Sequence, residues 1–480
     1  MKFSQSSLQQ ISISIASFAL FWSGVPAFAQ NVADPKQHPY ADPAGGREGY
    51  ADSDKQVNEA RIYDFYQRQA DYYLTKGSAD VPAILPAYPG LDGGSYGHWG
   101  KHNQNNYNDE RWNHAEMGEV ITHVLRHEKE MTVLKGVCLR LGVHRELSAC
   151  FDPLSLSYRS VWEGGFVHFD GFRWGTARNA QLVGEPWYTT ATAAMPEGGK
   201  YLGFYRYGKR IVFSYKLGDI LISDEPWATK QALVRRIDIQ NAATELELRV
   251  PSQLKTKVVS QSGIGKLDID QENGRILLKK VQAGAKLIVS QSKDDADVSS
   301  LDNAIAHLNA KRKAERRWQE DLPVPGTLGE SRQGSAYVVD TITVPYDNPY
   351  QAVMQLSSIG ILHNGDALVA TLQGEIWKVS GIDQDLQNVT WRRFATGFNQ
   401  PIGIHIDKDG IFVLDRGQIY RLHDQNNDGE TDYYENYAND FGGYDRSHTH
   451  TFGLHRTEDG AFHFTQRESI LRTSIDRTTE

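Results

Sequence analysis

The sequence predicts a mainly β protein, in which an N-terminal β-sandwich-like domain precedes a partial β-propeller and a few helices interrupt the strands. Its 480 residues exceed what one hydrophobic core organises, so we expect at least two domains. Many short runs alternate or are β-branched and are separated by Gly or charged turns, which is typical of strands. A motif that occurs three times near the C-terminus indicates the propeller.

The composition is that of a folded protein. Hydrophobic residues make up 40% and aromatic residues 11% of the chain, which supplies a core and argues against wholesale disorder. The formal net charge of −9 and the lack of any Lys/Arg-rich run predict no nucleic-acid partner. A small neutral or cationic ligand is easier to accommodate.

The first residues have the organisation of a secretory signal. Lys2 precedes an apolar stretch at residues 11–22, and Ala27 and Ala29 fit the A-x-A cleavage pattern. The apolar stretch is short for a membrane span, although an uncleaved anchor is the alternative. We therefore predict a signal peptide at residues 1–29, no membrane span after its removal, and a periplasmic or secreted protein.

Residues 30–79 are predicted to form an extended lead-in and an amphipathic helix at 55–74. On this helix Val57, Ile62 and Phe65 fall near helical spacing. Residues 80–292 are predicted to form one β-rich domain, for which a sandwich is the natural arrangement. One helix is predicted to interrupt this domain at residues 116–126.

The two cysteines of the chain, Cys138 and Cys150, flank a stretch that predicts two short strands around a turn at Gly142. This arrangement places their sulfurs opposite one another. A cross-strand disulfide and two separately buried thiols are both open alternatives. No C-x-x-C-H motif is present, so we expect no haem in this chain.

Histidine and aromatic residues are concentrated in one part of the predicted β domain, namely at His98, Trp99, His102, Trp112 and His114. Aromatic faces beside polar groups suit a carbohydrate-binding surface, but buried, hydrogen-bonded corners use the same residues, and we favour the structural interpretation. His123 and His127 are four residues apart on the predicted helix, which is metal-ligand spacing. No third ligand accompanies them, so zinc is the less favoured interpretation.

The composition changes at residues 293–330. Leu301, Ile305 and Leu308 lie on one face of a charged predicted helix, and the segment LPVPG at residues 322–326 ends it. We therefore predict a helical linker and a domain boundary near residue 325.

Three segments beyond this boundary align on Gly360, Gly403 and Gly453, at spacings of 43 and 50 residues. Each predicts an apolar strand, a polar turn with its own glycine, a second strand and a third strand. A closed propeller needs about four to eight blades, and only three repeats fit within residues 331–480. We predict an incomplete β-propeller of about three blades, from a longer protein or an interrupted gene.

Residues 424–435, DQNNDGETDYYE, match the calcium-loop pattern D-x-[DN]-x-[DN]-G-x5-E. The predicted oxygen ligands are the side chains of Asp424, Asn426, Asp428, Asp432 (directly or through water) and Glu435, and the backbone carbonyl of Glu430. The flanking residues predict propeller strands instead of two helices, so we expect a structural Ca²⁺ clamp and not a signalling EF-hand. The alternative is a solvated acidic turn.

His448 and His450 alternate with threonines just before the third repeat, where propeller loops face the central channel. One imidazole would serve as a general base, with Arg446 holding an anionic group. The alternative is that both are ordinary surface or hydrogen-bonding histidines.

Several long motifs connect the sequence with a known family. They are GHWGKHNQNNYNDERWN, KGVCLRLG, SACFDPLSLSY, WEGGFVHFDGFRWG, GFYRYGKRIVFSYKLGD, YVVDTITVPYDNPY, GEIWKVSGIDQDLQNVTWRRFATG and IYRLHDQNNDGETDYYE. With these motifs, nearly the whole mature chain resembles large secreted bacterial proteins that are common in planctomycetes. Those proteins join an N-terminal domain of unknown function to a sorbosone/glucose-dehydrogenase-like β-propeller, often followed by a cytochrome c domain.

The resemblance implies a relationship to quinoprotein sugar or alcohol dehydrogenases. In these a channel-facing His takes the proton of a sugar hydroxyl while hydride passes to pyrroloquinoline quinone (PQQ), which calcium and basic residues hold. His450 or His448 would then be the base, Arg446 a cofactor-binding residue, and a cytochrome c the electron acceptor. This sequence departs from the family because it ends at Glu480, without later blades or a cytochrome domain. The alternative is a non-catalytic module that binds a sugar, a polysaccharide or a protein, with calcium serving rigidity.

Overall fold

A computed structural model describes residues 111–128, 131–169, 179–191, 193–294, 301–329, 338, 340–443 and 449–479. These residues are mainly β, with 26 strands, one α-helix and one 3-10 helix, so the predicted β character is confirmed. None of the helices in this part of the chain is long and apolar enough to cross a membrane. The predicted signal peptide, the predicted helix at 55–74, and His98, Trp99, His102, Arg446 and His448 lie outside the described residues.

A seven-stranded sheet, curled into a half-barrel, forms the first layer. In chain order its strands are β1 (Val120–His127), β2 (Met131–Leu141), β3 (Leu147–Asp152), β4 (Ser157–Glu163), β5 (Val167–His168), β6 (Ala180–Leu182) and β7 (Glu185–Thr189). Across the sheet the order is β5-β6-β1-β2-β3-β4-β7. β1 and β6 are parallel, and the other neighbours are antiparallel.

β1 occupies residues for which the sequence predicted a helix at 116–126, so that prediction is wrong. Residues 120–125 are all buried, and a continuous apolar run does not distinguish a buried strand from a helix. Gly118 precedes the strand with a φ of +86°, which is not a helical conformation.

A second, eleven-stranded sheet packs on the first. Its strands from the N-terminal half are β8 (Gly199–Tyr207), β9 (Arg210–Leu217), β10 (Ile220–Ala228), β11 (Leu233–Ile239), β12 (Ala243–Arg249), β13 (Lys255–Asp270) and β14 (Arg275–Ser292). Gly208 and Gly218 adopt φ near +60° and start the two-residue turns that join β8 to β9 and β9 to β10. Phe151 of β3 stacks on Phe213 of β9 with ring centroids 4.0 Å apart, so the main core lies between the two sheets.

The only α-helix in the described residues, α1 (Asp302–Asn309), lies within the predicted linker. Leu301 and Leu308 are buried and Ile305 is partly buried, and all three pack against β10, β11 and β14. The predicted apolar face of this helix is therefore confirmed.

The three sequence repeats form three antiparallel meanders. Their strands are β16 (Leu356–Ile361), β17 (Ala367–Thr371), β18 (Glu375–Ser380) and β19 (Thr390–Thr396); β20 (Gly403–Asp407), β21 (Gly410–Leu414), β22 (Ile419–His423) and β23 (Tyr433–Ala438); and β24 (Thr451–Arg456), β25 (Phe462–Gln466) and β26 (Ser469–Thr473). A short strand, β15 (Leu322–Pro323), adds to β19. The first two meanders thus have four strands and the third has three among the described residues.

The aligned glycines lie where the first strands of successive repeats approach closely. A methyl group on Gly360 would lie 2.7 Å from the side chain of Ile404, and one on Gly403 would lie 3.0 Å from that of Leu454. Glycine at these two positions therefore allows β16 to approach β20 and β20 to approach β24, and a side chain at Gly360 would require its neighbours to shift. The equivalent Gly453 has open space around it among the described residues.

Hydrogen bonds connect the two halves of the chain into one sheet. β8 pairs on its free side with β23, so the eleven-stranded sheet continues through β23, β22, β21 and β20. Tyr205 and Tyr433 are partners in this junction, and their rings stack with centroids 4.1 Å apart. The boundary predicted near residue 325 stays a prediction, and main-chain pairing crosses it.

Candidate functional sites

The acidic loop, defined here as residues 424–432, connects β22 to β23. The backbone N–H of Asp428 donates to Asp424 Oδ1 at 3.1 Å and to Asn426 Oδ1 at 3.0 Å, and the N–H of Gly429 donates to Asp424 Oδ2 at 2.9 Å. The backbone N–H of Gln425 donates to Asp432 Oδ2 at 2.8 Å. The loop therefore curls around its own carboxylates, which brings four of the predicted side-chain ligands together.

The carboxylates of this loop repel one another. Burial raises the pKa of Asp432, and the neighbouring carboxylates of Asp428 and Asp424 raise it further. Hydrogen bonds from backbone N–H groups lower this pKa, but the net shift is upward. A cation between these groups would remove that repulsion.

The side chain of Glu430 points away from the other loop carboxylates. It is 2% exposed, forms an ion pair with Arg206 of β8, and accepts the backbone N–H groups of Arg317 at 2.7 Å and Trp318 at 3.0 Å. Sequence reasoning assigned Glu430 only a carbonyl ligand. Its carboxylate instead connects the acidic loop to β8 and to the segment after α1.

The structure places Glu435, the predicted bidentate ligand, on β23, where its carboxylate is held by partners outside the acidic loop. Its carboxylate is paired with His423 Nε2 at 2.8 Å and with Arg477 Nη1 at 2.8 Å. Burial raises the pKa of Glu435, but the hydrogen bonds from His423 and Arg477 outweigh it and the net shift is downward. The described residues contain no group of three or more His, Cys, Asp or Glu side chains arranged to hold a metal.

His450 lies at the opposite end of the second repeat from the acidic loop. It is half-buried just before β24, with its ring centroid 5.7 Å from that of Phe452. The preceding carbonyl of Thr449 accepts a hydrogen bond from Arg416 Nε at 2.7 Å, in the turn that leads into β22. β22 then runs for five residues before the acidic loop begins, which separates the two sites by about 13 Å or more.

The predicted zinc ligands, His123 and His127, lie on strand β1, so they are not one turn apart on a helix. His123 is 1% exposed with its ring packed edge-on against Phe169 at 4.9 Å, whereas His127 is half-buried at the end of β1. Four residues apart in a strand, their Cα atoms are about 13 Å apart. Trp112 is buried against the carbonyl of Phe169, and His114 is exposed, so these two do not form one surface.

A buried polar cluster between the first sheet and the second repeat was missed by sequence reasoning. Lys135 of β2 donates from Nζ to the carbonyl of Gly417 at 2.8 Å and to the carbonyls of Asn439 and Phe441. Burial lowers the pKa of Lys135 to about 8, although the carboxylate of Asp415 opposes this shift. A lone Lys inside the strand motif KGVCLRLG was the only available signal.

Asp415 is the acidic member of the same cluster. Burial raises its pKa to about 6, and hydrogen bonds from the backbone N–H groups of Gly417 and Asn399 act in the opposite direction. The adjoining cavity has a volume of about 10 Å³, which is room for about one water molecule. Asn399 Oδ1 and Gln418 Nε2 belong to residues that line this cavity and have no hydrogen-bond partner among the described residues, so a water in the cavity would have polar groups around it.

Comparison with known proteins matches two separate parts of the chain. Residues 149–224 are similar to a domain of unknown function (DUF6797), and residues 325–479 are similar to another domain of unknown function (DUF7133). No curated protein matches the chain. The two matches fall on either side of α1, the first on β3–β10 and the second on the repeats.

Proposed function

We propose that this chain is an exported calcium-binding protein in which calcium stabilises a β-propeller-like repeat region. The observation that carries this proposal is the convergence of Asp424, Asn426, Asp428 and Asp432 in one loop, where burial and then the neighbouring carboxylates raise the pKa of Asp432. Oxygen ligands of this kind suit Ca²⁺. Because Glu435 is held by other partners, loop carbonyls and water would complete the coordination.

The propeller part of the proposal is supported by the packing of the repeats. Each repeat places its first strand beside the first strand of the next, at Gly360 and Gly403, as blades do around an axis. The first two repeats are four-stranded meanders, which is the usual blade. The stacking of Phe151 on Phe213 likewise supports a sandwich in the N-terminal half.

The geometry favours a binding or scaffolding role over oxidation of a sugar. The two cavities at the interface between the first sheet and the repeats measure about 10 and 20 Å³. His450 lines neither cavity, so the geometry of the described residues gives no support for a PQQ pocket beside the predicted base. The acidic loop is also too far from His450 for one ion to serve both. A sugar, a polysaccharide or a protein is the class of partner that we propose.

Calcium binding can be tested on the full chain by titration calorimetry and by thermal melting with and without a chelator. Calcium should raise the melting temperature, because an ion bound only by the folded state stabilises it. Asp428→Asn should abolish both the binding heat and the shift. Asp385→Asn changes an exposed carboxylate in the equivalent loop of the first repeat and should keep both. An unchanged melting temperature across a series of chelator concentrations would contradict the proposal.

A further inference from the structure

The two cysteines are direct cross-strand partners in the first sheet. Cys138 of β2 is opposite Cys150 of β3, and the hairpin between them turns at Gly142 with a φ of +96°. Both side chains are 0% exposed and are thiols in this structure. The expectation that the sulfurs lie opposite one another is confirmed.

The register alone places the two residues within bridging distance. Opposed residues of an antiparallel pair have Cα atoms about 4.5–5.5 Å apart, and disulfides span Cα separations of about 4.4–6.8 Å. Side chains of opposed residues point to the same face of the sheet. Burial raises the pKa of the Cys150 thiol, and the neighbouring Cys138 thiol raises it further, as expected for two sulfurs that lie close together.

The surroundings leave room for the sulfurs and for no metal. A methyl group on Gly136 would lie 2.7 Å from Cys150 Sγ, so the missing side chain of this glycine provides the space that the sulfur fills. The other neighbours are apolar, including Leu125 and Trp162. Among the described residues no third metal-binding side chain joins the two thiols. A thiolate metal site is therefore not formed here.

We propose that Cys138 and Cys150 form a disulfide when the chain folds in an oxidising environment. The oxidant is a small or protein-borne disulfide, such as oxidised glutathione. One cysteine thiolate attacks this disulfide, which gives a mixed disulfide and releases one thiolate of the oxidant. The second cysteine thiolate then attacks the bonded cysteine sulfur, which closes the Cys138–Cys150 bond and releases the other thiolate. Two cysteine thiols are oxidised, one disulfide is reduced to two thiols, and the two cysteine protons pass to the released thiolates.

The reaction takes place before the first sheet curls around the core that contains Cys138 and Cys150, which is separate from the core between the two sheets. Burial in the folded protein raises the pKa of the Cys150 thiol, so the reactive thiolate is scarce once the sheet has closed. The cysteines are twelve residues apart in sequence, and they meet as soon as the β2–β3 hairpin forms. The bond would then restrict the unfolded chain across this hairpin.

The test is to unfold the reduced full chain and refold it in a glutathione redox buffer. Free thiols are then alkylated under denaturing conditions, and the intact mass is measured. We expect no alkylation in a monomeric product, whereas Cys138→Ser should be alkylated at Cys150. Alkylation of both cysteines, or a disulfide-linked dimer, would overturn the proposal.

A thermal melt of the oxidised protein gives a second measurement. A reductant should lower the melting temperature of the unsubstituted chain by about 5 °C, as expected for a disulfide across a short loop. The reductant should leave Cys138→Ser unchanged, which separates the bridge from other effects of the reductant. Equal melting temperatures of the unsubstituted chain with and without reductant would refute a disulfide in the folded protein.

Discussion

The ion pair between Arg393 and Glu375 gives the sharpest test of how the repeat region is held together. Both residues are 0% exposed. The Arg393 guanidinium also donates to the carbonyl of Glu116 and lies 4.5 Å from the ring centroid of Trp318 and 4.2 Å from that of Tyr350. It therefore connects the first repeat, the chain before β1 and the segment after α1.

Glu375→Gln keeps the size of the side chain and removes its charge, which leaves the Arg393 cation buried without a counter-ion. Breaking a buried pair in this way costs about 3–5 kcal/mol. The aromatic rings around Arg393 offset part of that cost, because each favourable cation–π contact contributes about 0.5–2 kcal/mol. We expect a loss near the lower limit, about 3 kcal/mol, out of the roughly 5–15 kcal/mol that stabilises a typical domain.

The assay is urea unfolding followed by the fluorescence of the ten tryptophans of the chain, which include Trp318 beside Arg393. Glu247→Gln is the matched control, because Glu247 pairs with Arg275 on an exposed surface at 3.3 Å. Exposed pairs of this kind contribute little, so the control should keep the unfolding midpoint of the unsubstituted chain. If Glu375→Gln changed the free energy of unfolding by less than about 1 kcal/mol, the argument from burial would be wrong.

Three further predictions concern the buried polar cluster and His450. Lys135→Met removes the donor to three carbonyls and should lower the melting temperature clearly. The same change at the exposed Lys279 should not lower it. Equal melting temperatures of the two variants would contradict the role of Lys135. Asp415 has a pKa of about 6 when folded against an ordinary 3.8, so the folded state binds its proton more tightly and stability falls as the pH rises between these values. Asp415→Asn should remove that fall, which is about 2 kcal/mol between pH 4 and pH 7, as measured by unfolding the two proteins at both pH values; parallel pH profiles would refute the assignment. Added PQQ and calcium should give no dye-linked oxidation of sugars, and turnover that disappears in His450→Ala would show that the binding role is wrong.

The strands of the repeats could be predicted because each repeat contains a glycine that marks a turn between two strands. Gly365, Gly410 and Gly460 mark the turn after each first strand, and all three have positive φ. The same pattern occurs in three aligned segments, which strengthens the prediction of strands in each of them. The single helix predicted at 116–126 had no such support, and burial of β1 on both faces removed the alternation that identifies a strand.

The candidate sites were predictable only where the ligands are close in sequence. The calcium-loop pattern spans twelve consecutive residues, 424–435, and the structure brings four of its side chains together. Glu435 pairs with His423 and Arg477 in the structure, which competes with its predicted role as a ligand. The calcium-loop pattern specifies only the ligand positions, so it does not show these competing partners. The contact of Lys135 with Gly417 spans 282 residues, so only the folded chain shows it.

The pairing of β8 with β23 has a consequence for how the chain is made. Tyr205 emerges from the ribosome more than 200 residues before its partner Tyr433, so during synthesis the edge of β8 has unpaired N–H and C=O groups. Contacts this distant in sequence form slowly, and an open sheet edge is prone to pair with other chains in the meantime. We therefore expect variants that weaken β23 to accumulate as aggregates before they show any loss of ligand binding.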